Sequence, residues 1–570
     1  MKRFILLLFV YFHIFIQTHN LTLKLVEMAF KIRYNITLEL EGIFLAIKKQ
    51  TFMKSVTVVL AAQLLIKFLG FIYRVILTNI EGFQDAGNSY YGTGYKVYVF
   101  ILAIATTGVP NAISKLVSEK LAVGDAKGAH KVFRTALKLF TFVGLFFACI
   151  LLFGSNYIAT NILSNEGVRW TLATLAPAVW FVSIAAVFRG YFMGMQNMSA
   201  HSKAQVLEQV VNSVFSVIFV LLLTGKSPEI MAIGSTAATA VSCLTALVYL
   251  YLFYKKHRTS IHEAIKNSAP HMQDSTRVTI KKILRYVIPI SFASIVVSLS
   301  GIVDILSVME GLTKYGYDLA TANEKYGIIV GKVDILVSIP HTFNVAFVTP
   351  LIPIITEHIV KKEKQAALNK INFSMKLSSI IAFPCMVGLA VLATPIFNTI
   401  FPNAPLGSTL LQIEVWAIIF SLIAQVSQGS LNGIGKLFVP GMSVLVAAIV
   451  KYILNIKLIP IYGEIIVPIT TIIYHLVNCL IVTTVLYRTL RRKPDIKNVY
   501  VKPLISSAIM GIVVFMLFKL FSGFVPTAIN MFICVAFGAI VYAVALLKMQ
   551  IFNKEEQASL PRFKKIFDLF

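Results

Sequence analysis

The chain has 570 residues, 57% of them hydrophobic and 14% charged, with a formal net charge of +27 and a mean hydropathy of +0.79. This composition excludes an ordinary soluble globular protein, and the long unbroken apolar runs exclude a transmembrane barrel, whose strands are short and alternating. In a soluble chain so much positive charge would point to nucleic acid; here the basic residues gather in short segments between apolar runs, so membrane topology accounts for them and no nucleic-acid partner is expected.

In chain order, residues 1–52 stand apart. "MKRFILLLFVYFHIF" has a basic start and a short apolar run without a clear small-residue cleavage site. Residues 1–52 therefore read as an N-terminal extension, a start-site artefact or a weak extra helix, with a natural-looking start at Met53. From 53 onward about fourteen stretches of membrane-crossing length follow. They are approximately 55–77, 92–115, 134–155, 168–189, 204–224, 230–254, 284–307, 328–354, 373–396, 409–429, 437–457, 465–487, 503–522 and 526–548. Loops after even-numbered stretches carry roughly thirty Lys and Arg, those after odd-numbered stretches roughly five. The predicted protein is therefore multi-pass, with the even loops and both ends of the core on the cytoplasmic side of the membrane.

A repeat sits inside this array. "FVSIAAVFRGYFMG" (181–194) aligns with "FSLIAQVSQGSLNG" (420–433), matching Gly190 with Gly429 and Gly194 with Gly433. Six stretches separate the copies, so both have the same orientation, as in transporters built from two parallel lobes around a cavity. The expected architecture is an all-α polytopic membrane protein with two pseudo-symmetric six-helix lobes plus two C-terminal helices. The N-lobe spans 53–254, a basic cytoplasmic linker 255–283, the C-lobe 284–487, the last two helices 488–550 and a cytoplasmic tail 551–570. The glycines are also explained by close helix packing without any ligand.

Ionisable residues inside apolar stretches are costly and attract a functional reading. Lys67 and Arg74 are two turns apart on one face of the first stretch, which has no acid of its own. They predict a cationic site for a phosphate group: Arg offers a planar fork and Lys a point charge. The competing reading is that Lys67 snorkels to the headgroups. Asn88 and Lys96, in or beside the second stretch, are counted as further substrate contacts, although Lys96 also suits an outer anchor. Glu208, Asp304 and Lys332 are charge partners: Glu208 for a cation, and Asp304 with Lys332 as an interhelical pair. Lys332 and Asp334, two residues apart, should point to different sites. Glu414 and Lys451 are further lobe-packing or cavity charges. His341 and His475 are packing histidines before they are proton sites.

No catalytic constellation, cofactor motif or metal spacing emerges. The five cysteines are scattered through apolar runs. "GSLNGIGK" (429–436) lacks the spacing and the preceding strand of a nucleotide loop. No enzyme activity, cofactor or metal is expected.

The segment from "FLGFIYRVILTN" (68–79) through "VFRTAL" (132–137), together with "FRGYFMGMQNM" (188–198) and "QVLEQ" (205–209), resembles the stage V sporulation protein B family. These are MurJ-like members of the multidrug/oligosaccharidyl-lipid/polysaccharide exporter superfamily. The resemblance covers roughly 53–550 and is looser in the second half. It implies a flippase for an undecaprenyl-pyrophosphate-linked oligosaccharide, lipid II or a related precursor, moved from inner to outer leaflet. The partners are then that substrate, membrane lipids, and a coupling ion or the membrane potential. It also implies that Arg74, Lys67 and Arg189 contact substrate. Met193, Ala200 and Asn212 stand where the family commonly has glutamine, proline and arginine, which leaves the identity of the substrate open. The alternatives are a multidrug or cation antiporter of the same superfamily, disfavoured because the first stretch carries cations and no carboxylate, and a membrane glycosyltransferase or ligase, disfavoured by the short outer loops. A scaffold without transport activity is the remaining reading.

Overall fold

The structure is a computed structural model that describes residues 52–268, 274–436, 438–491 and 495–552. The expectations for the first 51 residues and for the tail beyond 552 lie outside these. All the regular elements are helices: α1 (Phe52–Thr78), α2 (Gln84–Ala105), α3 (Val109–Ala122), α4 (Ala126–Tyr157), α5 (Arg169–Gly194), α6 (Met198–Leu222), α7 (Pro228–Lys256), α8 (Arg258–Lys266) and α9 (Thr276–Tyr315). There follow α10 (Leu319–Ile328), α11 (Asp334–Val360), α12 (Lys364–Val391), α13 (Ala393–Ile400), α14 (Leu406–Glu414) and α15 (Ala417–Ile434). The series ends with α16 (Phe438–Tyr462), α17 (Ile466–Leu490), α18 (Lys502–Phe521) and α19 (Thr527–Lys548). Helices are the natural outcome for such a sequence, because hydrocarbon offers backbone groups no partner and each segment must satisfy its own.

Among the described residues, twelve helical runs are long and apolar enough to cross a membrane, a multi-pass arrangement with fewer runs than the fourteen expected. Two features account for the difference. Phe438–Leu490 counts as one run although a turn at Gly463 divides it into α16 and α17, and α1 is not among the twelve. Gly463 has φ +67, a conformation that disfavours any side chain, and it rests against the ring of Tyr315.

Helices α2 to α7 pack chiefly on one another, as do α11 to α19, and α2 meets α9 and α10 where the two groups touch. The apolar cores show how they join. On the face that carries the Thr78–Gln84 turn, one continuous core runs from Leu77 and Tyr91 through Leu312 and Tyr326 to Phe401 and Leu410. On the opposite face each group has its own core: Val109, Phe133, Tyr191 and Leu250 in the first, Leu351, Met375, Val426 and Leu486 in the second. The halves are thus sealed together at one face and separately packed at the other. Polar contacts reinforce the seal. Asp85 holds Lys332 at 2.7 Å, and the amide oxygen of Asn323 accepts from Ser89 at 2.7 Å and from Asn165 at 2.8 Å. Asn79 donates to the carbonyl of Ile400 at 2.9 Å. Gly327 and Gly331 make this approach possible: a Cβ on Gly327 would stand 1.7 Å from the backbone oxygen of Asp85.

The repeat has a structural counterpart. The hydroxyl of Ser118 donates to the carbonyl of Gly194 at 2.9 Å, and that of Thr356 to the carbonyl of Gly433 at 3.0 Å. Gly190 lies against the backbone of Pro110, so close helix packing accounts for the glycine there.

Candidate functional site

Arg74 lies near the end of α1, between Tyr73 and Leu77 of the continuous core. Its Nε donates to the Tyr73 hydroxyl at 3.2 Å, and its guanidinium carbon stands 4.2 Å over the ring of Tyr91. Tyr91 in turn stacks on Tyr95 with centroids 5.6 Å apart. Two of these rings come from α2, where a four-residue step keeps them on one face. The π-faces stabilise the cation without neutralising it. Arg74 is half-buried, and its Nη1 has no hydrogen-bond partner. Neither Glu208 nor Asp304 is among these contacts: tyrosines hold Arg74.

Lys67 is exposed on α1. On α11 the Nε2 of His341 is 3.1 Å from the Ser421 hydroxyl, and the His341 and His475 rings are 6.4 Å apart.

The remaining sequence candidates go to different places. Arg189 on α5 forms an ion pair with Glu208 on α6, so both carry a partner of their own. Lys96 on α2 reaches across to the second half, 3.2 Å from the Tyr326 hydroxyl and 3.8 Å from Asp334. Asn88 is fully buried in the seal, donating to Thr78 and to the carbonyl of Gln84. It faces Gly331 rather than the divided side, which corrects its reading as a substrate contact. The pairing of Asp304 with Lys332 is also corrected. Lys332 belongs to Asp85, whereas Asp304 belongs to Lys451, at 2.7 and 2.9 Å to its two oxygens. Lys332 and Asp334 do point to different partners, as their spacing requires.

Sequence reasoning missed Asp85 and the tyrosines around Arg74. The signal for Asp85 was present in principle: a lysine fully inside an apolar run needs a carboxylate from elsewhere, and few acids exist in the apolar stretches. Among the described residues no group of His, Cys, Asp and Glu is arranged to hold a metal ion.

What the arrangement offers is a half-buried cation without a carboxylate beside it, with a second, exposed cation seven residues away on the same helix. Comparison with other proteins gives the family. Over 409 residues the chain is 27% identical to the lipid II flippase MurJ of Bacillus subtilis (strain 168), covering 69% of this chain and 74% of that protein. It is 26% identical over 361 residues to the stage V sporulation protein B of the same organism, covering 62% and 68%. Among solved structures, a lipid II flippase MurJ in an inward closed conformation superposes with a TM-score of 0.63 at 16% identity, covering 86% of this chain and 98% of that one. Residues 52–359, more than half of the chain, match the family described as polysaccharide biosynthesis protein, and to that family the chain belongs.

Proposed function

We propose that this protein flips an undecaprenyl-pyrophosphate-linked oligosaccharide, lipid II or a related cell-wall or polysaccharide precursor, from the inner to the outer leaflet by alternating access. The observation that carries this reading is Arg74: a guanidinium held by tyrosine rings, with donor capacity unspent and no carboxylate beside it. A pyrophosphate supplies the missing negative charge, and the guanidinium fork matches its oxygens. The head group stays between the halves while the prenyl chain remains in lipid, because dragging an anionic sugar through hydrocarbon is prohibitive.

In this reading the lobes are 53–254 and 284–487, joined by the linker 255–283, with 488–550 as an appended pair and 551–570 as a tail. The basic faces lie toward the cytoplasm, so the sealed face is the outer one and this conformation opens inward. The basic loops and the divided cores support this placement. The antiporter alternative needs a carboxylate where its cation would bind, and beside Arg74 there are tyrosines and no carboxylate.

The test is reconstitution of the full chain in liposomes with a fluorescent undecaprenyl-pyrophosphate-linked precursor. The parent protein exposes the label to an external quencher faster than empty liposomes do, and a headgroup-free prenyl phosphate competes poorly. A protein that moves cationic dyes and leaves the precursor in place overturns the reading.

A further inference from the structure

On α4 the cations follow a pattern that the Arg74 site does not use. Lys127, Lys131, Arg134 and Lys138 recur at steps of four, three and four residues and so share one face, and the helix carries no acid. Two further steps of the same kind reach Phe142 and Leu145, which are 72% and 42% exposed. The next charged residue after Lys138 is Glu166. Lys138 therefore marks the level where headgroups give way to hydrocarbon, with a cationic face before it and an apolar face after it.

At that level α4 and the start of α9 leave a cavity of about 310 Å³ between them. Arg134, Lys138 and Phe142 line it from α4, and Thr276 and Ile280 line it from α9. Both cations are exposed, and among the described residues neither forms an ion pair. The acid closest in sequence to Thr276 is Asp274, and it is already engaged by Lys282 at 2.7 Å and Lys120 at 3.6 Å.

The occupant that suits this lining is amphipathic. Two cations one turn apart, with no carboxylate, favour an anion, and the guanidinium fork beside an ammonium suits the oxygens of a phosphate diester. Exposed Phe142 and Leu145, next along the same face, favour hydrocarbon. A soluble anion satisfies only the first demand and a neutral lipid only the second. The volume lies near the lower end of the roughly 300–1,000 Å³ range of small-molecule sites, which suits a headgroup with its chains outside.

We propose that this cavity binds an anionic phospholipid, with its phosphate on Arg134 and Lys138 and its acyl chains along Phe142 and Leu145. Basic pockets between membrane helices recognise acidic headgroups in this way. Further along α9, Ile283 and Val287 belong to the core of the first half. A lipid that touches α4 and α9 together reinforces that hold, and a ligand of the folded state alone raises its stability. Arg74 does not line this cavity, so the site does not depend on what is transported.

The experiment is native mass spectrometry of the full chain in detergent, titrated in parallel with phosphatidylglycerol and phosphatidylcholine of the same acyl chains, alongside thermal unfolding. The parent should retain one phosphatidylglycerol at concentrations where phosphatidylcholine is lost, and its Tm should rise with it. Arg134→Gln with Lys138→Gln should bind that lipid at least about tenfold more weakly. Thr276→Trp, which fills the cavity and keeps both cations, should weaken it as well. Lys364→Gln with Lys370→Gln, which removes two exposed cations from α12, should leave it unchanged. All five positions are exposed, so folding is not at stake. Equal retention of the two lipids, undiminished binding without Arg134 and Lys138, or equal loss in the α12 variant overturns the site. Undiminished binding in Thr276→Trp puts the lipid on the open face of α4 and overturns the cavity. An equal rise in Tm with inorganic phosphate, or displacement by equimolar undecaprenyl phosphate, assigns the cations to another ligand and overturns the phospholipid. If phospholipid binding holds while the precursor assay fails, the flippase reading falls and the lipid site remains.

Discussion

Arg74 and Lys451 are both cations set in apolar helices, and the protein treats them in opposite ways. Lys451 is 1% exposed and gripped by both oxygens of Asp304. Arg74 is half-buried and has a phenol and two ring faces, with no carboxylate. A compensated cation is a strut, since it neutralises a neighbour and leaves little field behind. A cation supported by π-faces keeps its field, and in a low-dielectric setting that field reaches an incoming anion. The difference between the two residues is a difference between a cation whose charge is spent inside the fold and one whose charge is left available.

This contrast predicts which property each substitution removes. Arg74→Ala should lower precursor flipping by about 100-fold or more, the loss of roughly two charge-assisted hydrogen bonds, with membrane levels close to the parent's. Arg74→Lys should recover part of the rate, because the charge returns without the fork. Transport at the parental rate in Arg74→Ala, measured by quencher exposure of the labelled precursor, would break the comparison on one side.

On the other side, Lys451→Ala strands Asp304 and should destabilise the protein by about 3–5 kcal/mol, read as a fall in Tm and in yield from membranes. The double variant Lys451→Met with Asp304→Asn should recover most of it. If Lys451→Ala leaves Tm untouched while abolishing flipping, the strut is a site.

A third substitution sharpens the same distinction at the seal. Gly331→Ala pushes a methyl group into Asn88, whose side-chain atoms lie 2.4 to 2.6 Å from that position. The sealed face should loosen, and the cross-linking yield between cysteines placed at positions 79 and 400 should fall several-fold while Arg74 chemistry is unaffected.

The smallest effect concerns the linker. Asp274 is held below the ordinary carboxylate range by a hydrogen bond to Lys282, with Lys120 at 3.6 Å adding to it. Its contribution is present above the ordinary carboxylate pKa and is lost as pH falls through the depressed value. Being exposed, it should shift Tm by only a degree or so in acid, and Asp274→Asn should remove that part of the pH dependence.

Much of the fold was legible in the sequence because hydrocarbon imposes it. Apolar runs of spanning length became helices, and the glycine repeat at 194 and 433 marks two equivalent contacts. Partner choice was not legible. Whether Lys332 meets Asp304 or Asp85 depends on the tilt and rotation of neighbouring helices, which no periodicity encodes. Arg74 was picked out by its isolation from acids in its own helix, and that isolation survives folding. Its tyrosine support was missed because aromatic residues in a membrane helix read first as packing. Asn88 was misjudged for the opposite reason: a polar side chain in a helix can be spent on a close glycine contact as readily as on a ligand.

Helix α9 links these parts mechanically. Its 40 residues make a rod about 60 Å long, roughly twice the thickness of the hydrocarbon layer. Ile283 and Val287 belong to the core of the first half, while Val296 and Val303 pack with the second. Between them Pro289 removes one backbone hydrogen bond, and the hydroxyls of Ser294 and Ser298 return to carbonyls four residues earlier, a contact that favours curvature. One continuous beam is therefore clamped at each end in a different body, with its compliant stretch in between. Any relative rotation of the halves would load it as a leaf spring, and its stiffness would gear the two bodies to each other where a loose tether would let them swing freely.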